Sequence, residues 1–317
     1  MKNLLVTGGC GFIGSNFINY IYPKGNYNII NLDAMYYAAD KNNVDASIQN
    51  SQNYTLVEGN LCSSDLVKHV LKSHNIELVI HFAAQSHVQN SFSDSLQYTK
   101  DNIMGTHVLL ECCRNYGKIT RFIHVSTDEV YGESMNTVSE LSKTEQSILC
   151  PTNPYAATKA GAELIAQSYN HSFKMPIIIS RGNNVYGPNQ YPEKLIPRFI
   201  QQLKNGEKVT IQGEGTAVRA FLHAYDTARA FECILEKGVI GEIYNIGCDE
   251  NMEYSVMEVA KILIEMIKNT QNYDEWIDYI EDRPFNDQRY YISNEKLKKL
   301  GWSITIDFIE GIKELIY

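Results

Sequence analysis

The stretch STDEVYGE, residues 126–133, combines a hydroxyl group with two adjacent carboxylates. It directly follows the apolar run RFIHV, which is typical of a buried strand. Thr127, Asp128 and Glu129 are therefore expected at the end of that strand. Two carboxyls in unlike environments can divide acid and base roles between them. An acid-rich surface turn would have the same composition, but this position favours a catalytic pair.

A second pattern, Tyr155-Ala-Ala-Thr-Lys159, places a phenol and an amine four residues apart on one side of a predicted helix. An ammonium group favours a nearby phenolate, so Lys159 is expected to lower the pKa of Tyr155 from about 10. Tyr155 would then serve as a base near neutral pH, and Thr127 can bind the same substrate hydroxyl. These residues would deprotonate an alcohol while its carbon gives up a hydride.

The start of the chain predicts the hydride acceptor. VTGGCGFIGS places three glycines at three-residue intervals between a strand and a helix, which lets the backbone approach a pyrophosphate at the helix N-terminus. The spacing resembles that of short-chain dehydrogenases rather than the GxGxxG pattern. The predicted cofactor contacts in this turn are Gly8, Gly11, Phe12, Ile13 and Gly14.

The ends of the next strands extend the predicted cofactor site. Asp33 ends the second strand, where a carboxylate accepts both ribose hydroxyls of NAD and repels a 2′-phosphate. Asn60 and Leu61 would flank the adenine, and Ala83 and Ala84 would line the far side of the cofactor. Plain packing at strand ends is the alternative for these four residues. Tyr155 and Lys159 complete the site beside the nicotinamide.

The carboxylate pair predicts more than oxidation. Once C4 of a sugar is a ketone, the hydrogen at C5 becomes acidic and the C6 hydroxyl can leave. One carboxylate must take the C5 proton, and the other must protonate the departing hydroxide. Asp128 and Glu129 therefore indicate a dehydration, whereas plain oxidation does not need them.

Apolar runs that alternate with helical patterns supply the framework. Runs at 3–7, 28–32, 54–58, 78–83, 121–127 and 176–181 predict strands covered on both faces, with helices such as 64–74 and 101–116 between them. This alternation predicts an α/β fold with a Rossmann-like, doubly wound parallel sheet, whose ligands lie at the carboxyl ends of its strands.

The character of the chain changes near residue 182, where prolines punctuate a loop-rich stretch. Short strands at 208–212 and 242–246 and helices at 226–237 and 254–268 follow. We therefore expect an NAD-binding domain over 1–181 and a smaller α/β substrate domain over 182–317, with some C-terminal segments returning to the main sheet.

Composition excludes several classes of protein. The net charge of −9 argues against nucleic-acid or anionic-membrane binding, and no apolar stretch reaches the length of a membrane span. Seven scattered cysteines without a CxxC pair indicate neither a zinc site nor a disulfide framework. The sequence thus predicts free thiols in the cytoplasm and no metal site.

From residue 7 to 290 the chain resembles the extended short-chain dehydrogenase/reductase family, and within it the nucleotide-sugar 4,6-dehydratases. The resemblance is carried by TGGCGFIGS, HFAAQSHVQNSF, HVSTDEVYGE, NPYAATKAGAE, RGNNVYGPNQYPEKLIP and RPFNDQRY. STDEVYG is the most specific of these motifs, because the related epimerases and decarboxylases share the glycine turn and the Tyr–Lys pair but not the acid pair.

The resemblance implies a role for each matching residue. Asp128 would be the acid for the C6 hydroxyl, Glu129 the base at C5 and Tyr155 the base at C4, while Lys159 holds the nicotinamide ribose. Thr127 would contact the substrate. The other implied substrate contacts are Ser86, Asn184, Lys194, Leu195, Arg219, Arg283, Asn286 and Arg289.

Three further expectations follow from the resemblance. AAQS and RPFND depart from the AAES and RPGHD of bacterial dTDP-glucose enzymes and look more like plant-type UDP-rhamnose synthases, so the base is either thymine or uracil. The family's helix pair implies a homodimer through 101–116 and 156–170. A chain of 317 residues leaves no room for a second enzyme domain, so a rhamnose pathway would need a separate epimerase/reductase.

Two alternatives remain open from the sequence. A nucleotide-sugar 4-epimerase would use the same cofactor site and Tyr–Lys pair but leave Asp128 and Glu129 idle. A non-catalytic NAD-binding protein would share the scaffold, although such proteins usually lack the tyrosine or the lysine.

Overall fold

The computed structural model describes residues 1–134, 142–249, 252–281 and 289–317. Its strands are β1 (Lys2–Thr7), β2 (Tyr27–Asp33), β3 (Tyr54–Glu58), β4 (Leu78–His81), β5 (Arg121–Thr127), β6 (Ile177–Gly182), β7 (Asn184–Tyr186), β8 (Val209–Gln212), β9 (Val218–His223), β10 (Ile243–Ile246), β11 (Glu253–Ser255) and β12 (Ile277–Ile280).

Helices fill most of the intervals between these strands. They are α1 (Phe12–Ile21), α2 (Ala46–Gln49), α3 (Ser64–Ser73), α4 (Val88–Ser93), α5 (Ser95–Tyr98), α6 (Gly105–Tyr116), α7 (Pro154–Phe173), α8 (Leu195–Lys204), α9 (Ala224–Lys237), α10 (Val256–Lys268), α11 (Glu295–Lys298) and α12 (Phe308–Ile316). A π-helical turn, Thr99–Met104, joins α5 to α6, so the predicted helix at 101–116 is less regular at its start.

The main sheet has seven parallel strands in the order β10-β6-β5-β4-β1-β2-β3. Its strands consist largely of buried Val, Ile and Leu, because helices cover both faces. One core contains Phe17 of α1 and Phe231 of α9, and the other contains Leu71 of α3 and Leu109 of α6. The predicted doubly wound parallel sheet is confirmed.

The strand order creates a crevice. The chain runs outward from β1 through β2 to β3, and then returns to β4 and continues the other way through β5 to β6. The connections that follow β1 and β4 therefore run in opposite directions along the sheet and leave a crevice between them. Doubly wound sheets bind their ligands at this point. Thr7, His81 and Thr127 end the strands that border this point.

The C-terminal part of the chain forms a smaller layer. One small sheet has the order β11-β9-β7 and another pairs β12 with β8. A separate core packs these strands against α8, α10 and α12, with Phe199, Leu263 and Phe308 fully buried. β10, also from this half, pairs in parallel with β6 in the main sheet. Within the described ranges, no helix combines the length and apolarity needed to span a bilayer.

Candidate active site

The glycine turn after β1 is built by close backbone packing. Gly8 has a φ of +74°, and a Cβ there would lie 2.7 Å from the Cα of Ala83. A Cβ on Gly14 would lie 2.3 Å from the carbonyl oxygen of Gly8. A side chain on Gly8 would collide with the backbone that follows β4, and one on Gly14 would push α1 away from the turn. The turn therefore keeps the first N–H groups of α1, which have no intrahelical acceptor, open to an anion.

Asp33 closes the same turn from the end of β2. Its Oδ2 accepts from the N–H of Cys10 and its Oδ1 from the N–H of Met35, each at 2.9 Å. Burial raises the pKa of Asp33, while these two bonds oppose the rise. Each carboxylate oxygen keeps a second lone pair, which suits a pair of ribose hydroxyls. Asn31, which the sequence did not suggest, accepts from Gly9 at 3.0 Å and fixes the turn.

One cavity of about 340 Å³ is lined by this turn and by the end of β5. All the residues predicted to bind the cofactor or carry out catalysis line it: Gly8, Gly11, Phe12, Ile13, Gly14, Asp33, Asn60, Leu61, Ala83, Ala84, Thr127, Asp128, Glu129, Tyr155 and Lys159. The side chain of Asn60 bonds to Tyr36 and to the N–H of Cys62, so it also stabilises its own turn.

Asp128 lies at the catalytic end of this cavity with 2% of its surface exposed. Asn183 donates to its Oδ2 at 2.6 Å, and the Thr127 hydroxyl lies 3.1 Å from its Oδ1. Burial and then the negative charge of Glu129 raise the pKa of Asp128 to about 7. About half of these carboxyls are therefore protonated at neutral pH, which allows Asp128 to act as a general acid.

Glu129 has a different environment, although it is the next residue. It is only partly buried, and Asn153 donates to its Oε2 at 2.9 Å. The other side-chain atom of Asn153, Oδ1, caps α7 by accepting from Ala156. One asparagine thus ties Glu129 to the start of the helix that carries Tyr155. The two carboxyls differ in burial and partners, which is the condition for dividing acid and base roles.

Tyr155 and Lys159 lie on the buried side of α7, but the expected effect of the lysine on the tyrosine is wrong. The pKa of Tyr155 is raised above its ordinary value, because burial and the charge of Glu129 outweigh the hydrogen bond from Thr127. Lys159 Nζ donates to the carbonyl oxygen of Val125 at 2.6 Å. Burial also lowers the pKa of Lys159 to about 8, which weakens any stabilisation of a phenolate.

A second cavity of about 200 Å³ adjoins the first. Five predicted substrate contacts line it: Ser86, Asn184, Lys194, Leu195 and Arg219. Ser86, Glu129, Asn184 and Lys194 line both cavities, so the two spaces meet beside the acid pair. The Arg219 guanidinium lies 5.2 Å from the centre of the Tyr290 ring, which also borders the second cavity.

Arg289, another predicted contact, lies away from both cavities. Arg289 forms a bidentate ion pair with Glu253, at 2.8 and 2.5 Å, and is not among the described residues that line either cavity. Arg283 and Asn286 lie outside the described residues.

Sequence reasoning missed both asparagines that hold the acid pair. Asn153 carries a recognisable signal, because an asparagine before Pro154 is typical of a helix N-cap. Asn183 carries no such signal, since its contact with Asp128 joins the ends of two neighbouring strands.

The fold and the two adjoining cavities place the chain in the class of extended short-chain dehydrogenases/reductases. The family model described as GDP-mannose 4,6 dehydratase matches residues 5–315, and the chain belongs to this family of nucleotide-sugar 4,6-dehydratases.

Three similar proteins support this assignment. A trifunctional UDP-glucose 4,6-dehydratase/UDP-4-keto-6-deoxy-D-glucose 3,5-epimerase/UDP-4-keto-L-rhamnose-reductase of Arabidopsis thaliana is 47% identical over 316 residues. The match covers 99% of this chain but 46% of the plant protein, so the chain spans about half that relative's length. The dTDP-D-glucose 4,6-dehydratase of Homo sapiens is 46% identical, over 99% of this chain and 89% of the human protein.

The third is a crystal structure of dTDP-glucose 4,6-dehydratase from Bacillus anthracis in complex with NAD. It superposes with a TM-score of 0.90 at 38% identity, over 100% of this chain and 96% of that chain.

Proposed function

We propose that the protein is an NAD-dependent 4,6-dehydratase that converts dTDP-glucose or UDP-glucose into the 4-keto-6-deoxyglucose nucleotide. The observation that carries this proposal is the pair of unlike carboxyls where the two cavities meet. Asp128 is buried with a pKa of about 7, while Glu129 is partly exposed and held by Asn153. Relatives named as dehydratases of both nucleotides support the reaction class.

The residues of this chain fit NAD. The glycine turn leaves space for a pyrophosphate, and Asp33 lies where it can accept ribose hydroxyls. Lys159 lines the same cavity and would hold the nicotinamide ribose. When bound, NAD⁺ supplies the acceptor for the C4 hydride and returns that hydride to C6. The similar Bacillus anthracis enzyme was crystallised in complex with the same cofactor.

The side chains carry out the proton transfers. Tyr155, in contact with Thr127, is assigned the C4 hydroxyl proton during oxidation, and the positive charge of bound NAD⁺ would oppose the burial that raises its pKa. Glu129 then removes the C5 proton, which the new ketone has made acidic. Asp128 gives its proton to the C6 hydroxyl, which leaves as water. A hydride at C6 and a proton at C5 complete the product, so the net change is loss of one water molecule.

The epimerase alternative requires Tyr155 but assigns no catalytic role to Asp128 or Glu129. The burial of Asp128, with the cost of placing a second carboxylate beside it, is then unexplained. A non-catalytic role leaves Tyr155 unexplained as well. The dehydratase is therefore the better account of this site.

The substrate side of the proposal rests on the second cavity. Ser86, Asn184, Lys194 and Leu195 would hold the sugar and Arg219 the diphosphate. Arg283, Asn286 and Arg289 would close over the nucleotide. On this basis residues 1–181 form the NAD-binding domain and 182–317 the nucleotide-sugar-binding domain.

The cellular setting is part of the same proposal. A homodimer would form through α6 and α7, where Met104 just before α6, Leu164 and Phe173 expose apolar surface. All seven cysteines are free thiols, which favours the cytoplasm. If the final sugar is rhamnose, an epimerase/reductase activity must act on the keto product downstream.

A side-by-side assay tests the function. The protein is incubated with NAD⁺ and either UDP-glucose or dTDP-glucose, and the products are analysed by mass spectrometry. Loss of one water molecule from either nucleotide is expected, and the faster substrate identifies the base. An unchanged mass with isomerised sugar would support the epimerase, and no change with either nucleotide would reject both enzymes.

A further inference from the structure

The residue that follows β6, Asn183, contacts the proposed general acid, and none of the sequence motifs gave it a role. Asn183 is buried, and its amide nitrogen donates to Asp128 Oδ2 at 2.6 Å. Its amide oxygen accepts from the N–H of Cys248 at 3.0 Å, and its own N–H donates to the carbonyl oxygen of Ile246. Asn183 therefore joins Asp128 to the end of β10 through bonds at both ends of its side chain.

We propose that Asn183 is the positioning residue of the general acid, and that its amide directs the transferable proton to Oδ1 of Asp128. This inference rests on the proposed dehydratase function. An N–H donor at Oδ2 favours an unprotonated oxygen there, since that oxygen must accept. The Thr127 hydroxyl donates to Oδ1 at 3.1 Å, but a hydroxyl, unlike the amide nitrogen, can rotate its hydrogen away and accept instead. The proton of the neutral acid therefore resides on Oδ1, with Thr127 as its acceptor. Thr127 also contacts Tyr155, so this is the side on which the sugar would be oxidised.

The groups around Asp128 show why such a donor matters. Glu129 on the next residue and burial both raise the pKa of Asp128. Arg219 of β9 and the Asn183 amide lower it. Tyr155 of α7 and Cys248 after β10 also face this carboxyl, and burial together with the charge of Asp128 raises the pKa of each. Without Asn183 the acid would be weaker, and only the Thr127 hydroxyl would still bond to its carboxyl group.

Two variants test the inference. Asn183→Leu fills the site without hydrogen bonds and Asn183→Ala truncates the side chain, so both variants lose the amide donor to Asp128 without adding a charge. A hydrogen bond to a charged group shifts a carboxyl pKa by about 1–2 units, so the alkaline limb of the pH–rate profile should move upward by that amount. Elimination should also slow relative to oxidation, so that enzyme-bound NADH accumulates during a single turnover.

Asn294→Leu is the matched control. Asn294 is equally buried and also anchors the chain after β10, through Gly247 and Asp249, but it does not contact Asp128. Its pH profile and NADH trace should follow those of the wild type. Equal shifts in all three variants would mean that Asn183 has only a structural role, and unchanged profiles in both Asn183 variants would overturn the proposal.

A direct titration separates this inference from the function itself. Difference infrared spectroscopy, with Asp128→Asn to identify the band, follows protonation of the Asp128 carboxyl without any substrate. The band should titrate about 1–2 pH units higher in both Asn183 variants than in the wild type. An unshifted band would reject the role of Asn183, whereas a wild type that eliminates no water would reject the dehydratase and leave this shift intact.

Discussion

The two ends of the large cavity are built in different ways. The cofactor end is made of backbone, since Gly8 and Gly14 pack against neighbouring main chain and Asp33 accepts two backbone N–H groups. The catalytic end is made of side chains, since Asn183 and Asn153 reach Asp128 and Glu129 across elements. The first arrangement fixes where a ligand binds, and the second sets where protons reside. Mutations should therefore separate binding from chemistry.

Tyr155→Phe should give the largest effect. It removes the proposed base while leaving the glycine turn intact. The rate of NADH formation in a single turnover should fall about 10²- to 10⁴-fold, with NAD⁺ affinity close to that of the wild type. Tyr98→Phe is the control, because Tyr98 packs edge-on against Tyr155 but bonds to the carbonyl oxygen of His87. If Tyr155→Phe also lost NAD⁺ affinity by a similar factor, cofactor binding and catalysis would depend on the same residues, contrary to the proposal.

Asp128→Asn should change the pH dependence of stability. The folded pKa of Asp128, about 7, lies above its ordinary value of 3.8, so the fold favours the neutral carboxyl. This contribution is complete below about pH 4 and is lost as pH rises through about 7. Relative to Asp128→Asn, the wild type should lose up to about 4 kcal/mol in free energy of unfolding between pH 4 and pH 8.

Denaturant unfolding at several pH values measures this difference. The exposed carboxyl of Asp45 provides a control, since Asp45→Asn should leave the stability curve parallel to that of the wild type. A wild type whose stability relative to Asp128→Asn is the same at pH 4 and pH 8 would mean that Asp128 is not held neutral. Turnover of the wild type should likewise fall as pH rises above about 7.

Gly14→Val tests the cofactor end and should have a smaller effect. Its Cβ would overlap the Gly8 carbonyl oxygen, and such overpacking costs about 1–3 kcal/mol. Because NAD⁺ would bind only the undistorted turn, we expect this cost to lower NAD⁺ affinity about 10- to 100-fold. Isothermal titration calorimetry measures the affinity. Gly25→Asn is a matched control, because Gly25 has a φ of +71° with open space around it. Wild-type affinity in Gly14→Val would contradict a backbone-built site.

The same contrast explains what the sequence could predict. The glycine turn, Asp33 and the Tyr–Lys helix are local patterns, so spacing alone located them. Asn183 and Asp128 are 55 residues apart in the chain, and local sequence spacing does not predict contacts between residues so far apart. The pKa direction of Tyr155 failed for a related reason, because it depends on burial and on the charge of Glu129, which only the packed structure supplies.

Glu129→Gln separates elimination from oxidation, since it removes the proposed C5 base and leaves Tyr155 and the NAD⁺ site in place. In a single turnover with the preferred glucose nucleotide, NADH should form and persist while water loss falls about 10²- to 10⁴-fold. Mass spectrometry of the sugar nucleotide, run beside the NADH absorbance, measures both steps. Wild-type water loss from Glu129→Gln would contradict the assignment of the acid pair to dehydration.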